Sequence, residues 1–285
     1  VLNTHGNIDS KVVLAAAAGL GIPCVIRSRH STPRIKDLWY NRILYRKLSH
    51  YIFTSAQFVK DQIVRDLGVP ENKVFSLPSG FFVPPDLPEH EESRRALAAE
   101  LSLSHDTRFI GFVGRLSSEK GLPFLIEAFF KIKDIFPGCH LVLVGKGDLL
   151  QRLKQQVQQY SIHDRVHFPG YRDNPWIYFR AYECFMLVSS RYEAAAQVIQ
   201  QAMYAGCPVI GTDAGGIPDI VIHNETGLLV SPDNTEQLAE AILQTLNYPD
   251  AAKRRAEKAF RYICGNHTID VMGERILGLY ERLIS

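Results

Sequence analysis

Short apolar runs alternate along the chain with longer stretches in which apolar residues recur every three or four positions; these are the periods of strands and of amphipathic helices. In the first part, VLNTH (1–5), PCVIRSR (23–29), YIFTS (51–55) and KVFSLPSG (73–80) predict strands. Between them, SKVVLAAAAGLG reads as a buried helix, IKDLWYNRILYRKL as an amphipathic one, and residues 57–67 as a third. Single helices between strands mean a parallel sheet with right-handed crossovers, of the kind usually covered on both faces. The proline- and acid-rich FFVPPDLPEHEESRR (81–95) holds no core strand and runs into a helix ending near Leu101. A boundary is therefore expected between Pro84 and His105.

Beyond it the rhythm restarts. RFIGFVG (108–114), HLVLVG (140–145), RVHFPG (165–170), ECFMLVSS (183–190), PVIGT (208–212) and GLLV (227–230) predict strands, with helices at 122–134, at 148–160, after Pro175 and from Ala194. Asp233-Asn234-Thr235-Glu236 reads as the cap of a helix running through Leu246. Charged amphipathic helices follow near 251–263 and 271–283, with no chemistry of their own. The fold class is thus α/β, with two Rossmann-like doubly wound parallel-sheet domains. The expected limits are 1–90 for the first and 91–265 for the second, and 266–285 is a helix expected to pack back toward the first.

Composition changes this picture little. With 285 residues, 46% hydrophobic and 22% charged, the chain has ample material for two cores. The longest apolar run, Val12 to Ala18, is far too short to span a membrane. Five scattered cysteines form no C-x-x-C pair and suggest neither a disulfide framework nor a zinc site, which fits a reducing, cytoplasmic setting. His163 and His167 are spaced as a metal pair, but no carboxylates cluster around them, and surface or core roles are expected.

Net charge is only +2 but unevenly placed: between Arg27 and Lys73 ten Lys and Arg face four Asp and Glu. Leu38, Trp39, Tyr40 and Tyr45 sit among these charges. The stretch reads either as a solvated helix face or as a surface for anionic lipid or an acidic acceptor, peripheral at the inner face of a membrane. No nucleic-acid partner is expected.

Three turns of the second domain concentrate chemistry at the carboxyl ends of predicted strands, where open α/β sheets bind ligands. Gly114-Arg115-Leu116-Ser117-Ser118-Glu119-Lys120-Gly121 places two cations between glycines, an arrangement suited to phosphate. Ser190-Arg191-Tyr192-Glu193 leads into Ala194-Ala195-Ala196, where small side chains leave helix-terminal N–H groups open to a ligand. Asp213-Ala214-Gly215-Gly216-Ile217-Pro218 reads as a strand-to-helix turn, with Pro218 at an early helical position. Each is weak alone, and an ordinary loop or helix start accounts for each. Their convergence on one sheet edge, around residues 188–219, points to a phosphate-bearing ligand.

Other motif classes fail. No G-x-G-x-x-G follows a strand, so a nicotinamide oxidoreductase lacks its fingerprint, and Gly145-Lys146-Gly147 reads as a strand-end turn. Neither a G-x-x-x-x-G-K-[ST] loop, an H-E-x-x-H helix nor a G-x-S-x-G elbow is present.

G-R-L-x-x-E-K-G at 114–121, LVLVGKGD at 141–148, VHFPGY at 166–171, S-R-Y-E at 190–193 and PVIGTDAGGIPDIV at 208–221 together resemble the nucleotide-sugar domain of family 4 glycosyltransferases, the glycosyl transferases group 1. The resemblance covers nearly all of 108–247. NTHGN, RSRHST and VFSLPSGF are similar, less distinctively, to that family's acceptor domain. It implies two domains facing across a cleft (GT-B), no bound metal or cofactor, and transfer of a sugar from a nucleotide-diphosphate sugar to a hydroxyl acceptor with retention of configuration. The acceptor would be a sugar, a lipid-linked sugar or a small molecule, in cell-surface polysaccharide or glycolipid synthesis.

Residue by residue, the resemblance implies that Gly114, Arg115 and Lys120 hold the donor diphosphate, the two cations stabilising the leaving group. Glu193 would touch the donor sugar, and the N–H groups of Ala194, Ala195 and Ala196 would face sugar hydroxyls or phosphate. Gly170, Tyr171 and Arg172 would border the base, and His30 would reach the sugar from the opposing domain. This sequence departs from the pattern at Gln201, which replaces the second acid of E-x7-E, and at the three alanines, which replace a Gly-aromatic-Gly opening. An amide keeps the ability to hydrogen-bond a ribose diol. The family's first strand and its Gly-rich turn are also expected upstream of NTHG, which makes the first domain an incomplete one. Gln201 and the missing strand motivate an alternative, a non-catalytic GT-B-like binding or partner subunit.

Overall fold

The fold, a computed structural model, describes residues 1–30, 33–190, 193 and 196–284. The first part contains β1 (Leu2–Thr4), α1 (Asn7–Ala17), β2 (Val25–Arg29), α2 (Trp39–Arg42), β3 (Tyr51–Thr54), α3 (Gln57–Leu67) and β4 (Val74–Ser76). Its four strands are parallel, in the order β1-β2-β3-β4. After α4 (His90–Glu100) come β5 (Arg108–Val113), α5 (Leu122–Ile132), β6 (Cys139–Val144), α6 (Leu150–Gln159), β7 (Val166–Gly170), α7 (Trp176–Ala181) and β8 (Tyr182–Leu187). The chain continues through α8 (Gln197–Tyr204), β9 (Val209–Thr212), β10 (Leu228–Val230), α9 (Thr235–Asn247), α10 (Pro249–Asn266) and α11 (Ile269–Ile284). These build a second parallel sheet in the order β10-β9-β8-β5-β6-β7.

That order carries a topological switch point. From β5 the chain builds outward through β6 and β7, then returns to the other side of β5 to lay down β8, β9 and β10. The chain therefore leaves the neighbouring ends of β5 and β8 toward opposite sides of the sheet, and such a switch point is the usual ligand position in open α/β sheets. The central strands are mostly apolar: Phe109, Ile110, Leu141, Val142, Cys184 and Phe185 are fully buried, as a sheet covered by helices on both faces requires. Leu279 of α11 is buried against Cys24, Ile26 and Phe53 of the first sheet, with Tyr280 and Leu283 packed beside them. Asn3 donates to Tyr280 Oη at 2.8 Å. The last helix thus crosses back to the first sheet after α10 has packed on the second domain.

Several expectations need correction. The alanine-rich helix α1 is not buried: Ser10 and Leu14, one turn apart, face the sheet, while Ile8 and Val12 are 79% and 64% exposed. The predicted 14-residue amphipathic helix is one turn of α-helix, α2, widening into a π-helix at Ile43–Leu48; there Ser49 Oγ donates to Leu44 O at 2.7 Å and Tyr45 is buried. The helix expected from Ala194 begins at Gln197. No helix follows the Gly215-Gly216 turn: residues 213–220 are bends and turns, held by Gly216 N–H donating to Glu193 O at 2.7 Å rather than to a helical partner. The cap at Asn234 is as expected, with its side chain accepting from the Gln237 N–H at 3.0 Å. Among the described residues no helix is long and apolar enough to cross a membrane, and no three metal-ligating side chains come together.

Candidate donor-binding site

The loops leaving β5, β6 and β7 are stitched together backbone to backbone. Gly114 N–H donates to Val144 O at 2.9 Å, Leu116 N–H to Lys146 O at 3.0 Å and Gly145 N–H to Gly170 O at 2.9 Å. Gly145 permits this approach: its φ is +144°, and a Cβ there would lie 1.8 Å from Gly114 O. The result is a cavity of about 300 Å³ lined by Val113, Gly114, Arg115, Val144, Gly145, Lys146, Tyr171 and Arg172.

Arg115 is exposed on this rim. Lys146 stands over the Tyr171 ring, 4.8 Å from its centroid. Tyr171, 57% exposed, is pushed up in pKa by a hydrogen bond with Asp173. Arg172 is more tethered than expected. It pairs with Glu100 of α4 and donates to Pro169 O at 2.6 Å, so its guanidinium braces the β7 loop as well as lining the cavity. Lys146 is the cation the sequence reading passed over. Its signal was the strand-end Gly-Lys-Gly, which becomes informative only once β6 is known to lie beside β5.

At the switch point, Lys120 Nζ forms an ion pair with Glu193 Oε2, and Ser189 Oγ donates to the same oxygen at 2.7 Å. Both side chains are largely but not fully buried, 17% and 13% exposed, a setting in which a charge needs its partner. The loops are locked together by Ser190 N–H donating to Glu119 O at 2.9 Å and by Gly121, whose φ of +63° turns the chain into α5. A Cβ at Gly121 would lie 2.1 Å from Val188 O. Glu119 has its pKa lowered, first by the neighbouring Ser117 side chain and then by its own backbone N–H.

The remaining expected residues divide. Ala196 is buried at the N-cap of α8, and its carbonyl accepts the first helical N–H groups. Ala194 and Ala195 lie outside the described residues. Gln201 is partly exposed in α8 and has no side-chain hydrogen bond among the described residues, while its neighbour Gln200 is fully buried with neither amide atom paired. His30, at the end of β2, is stacked on His5 at 5.2 Å with a 2.9 Å contact between ring nitrogens. Burial and then the neighbouring His5 lower its pKa. The contacts described for His30 are with His5, not with Glu193. His167 pairs with His140 across β6 and β7, at 2.9 Å between ring nitrogens, and not with His163.

Adjacent parallel strands lie about 4.8 Å apart, so the ends of β8, β5, β6 and β7 cover roughly 14 Å. Along that line stand an acid with its lysine, an exposed arginine, a lysine on a tyrosine ring, and a braced arginine. This is a row of cationic groups with an aromatic surface at one end and a carboxylate at the other.

Residues 93–262 match the family model of glycosyl transferases group 1. The chain belongs to that family. It is 26% identical over 281 residues to alpha-D-kanosaminyltransferase of Streptomyces kanamyceticus, covering 93% of this chain and 72% of that protein. It is 31% identical over 187 residues to the N-acetyl-alpha-D-glucosaminyl L-malate synthase of Bacillus anthracis, covering 66% and 48%. Of several other curated relatives it spans about half the length or less. Among solved structures, the Anabaena HepE protein in complex with UDP aligns with a TM-score of 0.86 at 19% identity, over 99% of this chain and 79% of that one. Sucrose-phosphate synthase from Thermosynechococcus elongatus aligns with a TM-score of 0.79 at 21% identity, over 99% and 73%. The two-domain α/β architecture is that of these GT-B glycosyltransferases.

Proposed function

We propose that this chain moves a glycosyl group from a nucleotide-diphosphate sugar to a hydroxyl acceptor with retention of configuration and without a bound metal. The observation that carries this reading is the Lys120–Glu193 pair at the switch point, continued by Arg115 and Lys146 along the sheet edge. The base lies at Tyr171 and Arg172, the diphosphate at Gly114, Arg115 and Lys120, and the sugar hydroxyls at Glu193. The UDP bound in Anabaena HepE supports a uridine diphosphate sugar as donor.

Lys120 has three donors, so it keeps Glu193 while giving a hydrogen bond to phosphate. The pair holds the site near neutrality before the donor arrives, and the anionic donor then tips the balance to charge-assisted contacts. In the reaction the acceptor oxygen bonds to the anomeric carbon on the face from which the phosphate oxygen leaves. The acceptor's proton passes to that oxygen, and Arg115 and Lys120 stabilise the charge developing on the diphosphate. His30 hydrogen-bonds the sugar from the first domain when the cleft closes. We assign the protein to the cytoplasm, in line with its five unpaired cysteines. The basic aromatic surface near Trp39 would touch an anionic membrane from the inner side, in keeping with a polysaccharide or glycolipid acceptor.

A second reading, a nucleotide-sugar-binding subunit without turnover, is favoured by the neutral Gln201. A panel of nucleotide sugars assayed for transfer and donor hydrolysis, with binding measured in parallel, separates the two. Arg115→Ala and Lys120→Ala are each expected to lower turnover by about 10²–10³-fold, the usual cost of removing one preorganised charge stabiliser. Nucleotide-sugar binding without turnover in the unaltered chain would select the second reading, and unchanged affinity in both variants would overturn the site.

A further inference from the structure

The N-terminus of α3 has no cap of its own. Its N-cap is Ala56, which offers no side-chain acceptor, and the neighbouring Ser55 hydroxyl is buried without a hydrogen bond among the described residues. The first helical N–H, that of Gln57, instead donates to Asp219 Oδ2 at 2.6 Å, across 162 residues and from the other domain. A carboxylate there satisfies an orphan donor and meets the positive end of the helix dipole.

Asp219 belongs to the loop that supports the donor-side acid. Three positions earlier, Gly216 N–H donates to Glu193 O at 2.7 Å. Gly215, at φ +60°, lies so close behind that a Cβ would come within 2.7 Å of the same oxygen. The loop is also tied to α10, where Tyr262 Oη donates to Asp219 O at 3.3 Å. Helix α8 makes a second contact between the domains: Gln197 Nε2, at its first residue, donates to Gly80 O at 3.1 Å.

We propose that Asp219 is a positioning residue which, by capping α3 from the opposite domain, fixes the backbone that holds Glu193 to the relative placement of the two domains. The inference rests on the glycosyl-transfer reading for its consequence, not for its geometry. When the domains sit as here, the loop 213–220 is anchored at both ends and the Glu193 carbonyl is held. When they part, α3 loses its cap and the Asp219 end of the loop keeps only its tie to Tyr262 of α10. Glu193 then presents its carboxylate correctly only in the closed arrangement, so that an open cleft holds nucleotide without being set up to cleave the donor.

The test compares the unaltered chain with Asp219→Ala and Asp219→Asn, the second keeping an acceptor oxygen. Amide hydrogen exchange at Gln57 reads the cap directly. It is expected to speed up tenfold or more in Asp219→Ala and to stay close to the unaltered rate in Asp219→Asn. UDP affinity, which depends on the β5–β7 side of the site, should change less than twofold in both. Transfer kcat should fall at least tenfold in Asp219→Ala and be largely restored in Asp219→Asn. Unchanged exchange at Gln57 in Asp219→Ala, or equal damage in the two variants, would overturn the proposal. Failure of the glycosyl-transfer reading would look different: the unaltered chain would turn over no donor while exchange at Gln57 still responded to Asp219.

Discussion

Lys120 and Glu193 are 73 positions apart in sequence, yet share one hydrogen-bonded ion pair because β5 and β8 are neighbours in the sheet. Each residue was legible in its own turn, since a cation among glycines and an acid before small residues are local patterns. That they neutralise one another depended on strand order, which local pattern does not carry. Lys146 and Asp219 were missed for the same reason: a lysine in a Gly-Lys-Gly turn and an aspartate after a proline have no message until their neighbours are known. Arg172 lines the cavity, but its commitment to Glu100 is a tertiary contact that local pattern does not carry either. Lys146 gives a prediction at this scale. Lys146→Ala removes a partly solvated cation from the cavity, worth about 1 kcal/mol, so UDP is expected to bind about fivefold more weakly. The loss should shrink as salt rises. Titration calorimetry at low and high ionic strength checks both; an affinity unchanged at low salt would remove Lys146 from the site.

Among elements, the periodic segments were readable and the irregular ones were not. Helix α3 runs from Gln57 to Leu67 as its pattern predicts, with Val59, Ile63 and Leu67 buried one turn apart. Helix α1 has an apolar composition without that spacing, and composition alone suggested burial that, among its described side chains, only Ser10 and Leu14 show. The turn at 213–218 has helix-start residues, but Gly216 N–H is already engaged by Glu193 O. The segment around α2 leaves a surface of chemical interest. Trp39 is 74% exposed, and Lys11, Trp39, Tyr40, Ile43 and Leu44 line an open cavity of about 400 Å³. Lys36, Arg46 and Lys47 are exposed nearby in sequence. An aromatic and aliphatic patch with a lysine in its lining and exposed cations close by in sequence suits the headgroup region of an anionic bilayer, each cation adding about 1 kcal/mol close to the surface. The protein is therefore expected to sediment with vesicles containing phosphatidylglycerol but not with phosphatidylcholine alone, and to be released by high salt or by Trp39→Ala combined with Lys47→Ala. Equal binding to both vesicle types, or to neither, would count against a membrane role.

At the scale of the whole molecule, the chain ends by returning to where it began, and the return passes through His267. Phe81 N–H donates to His267 O at 3.1 Å, and Ile269 N–H donates back to Phe81 O at 3.1 Å. The stretch that leaves the first domain is thereby bound to the one that re-enters it. His267 is only 3% exposed, its ring lies against Tyr262, and its Nδ1 has no hydrogen-bond partner among the described residues. Burial, and then the charge of Arg275, push its pKa down to about 4. In the unfolded chain the ring titrates near its ordinary value of about 6.5. Between these two values the unfolded state binds the proton and the folded state does not, so folding stability is complete above about pH 6.5 and is lost as the pH falls toward about 4. For one ring this amounts to on the order of 2–3 kcal/mol. His140, with its pKa pushed down to about 4 by burial and by His167, titrates over the same window, so the slope of the unaltered chain is a composite. The difference between that chain and His267→Asn isolates the crossing point. Urea unfolding of the two at pH 7.5 and pH 4.5 is expected to show the variant losing less stability on acidification by on the order of 2 kcal/mol. Identical losses in the two proteins would mean that His267 is already solvated in the native state and does not make the joint between the domains sensitive to acid.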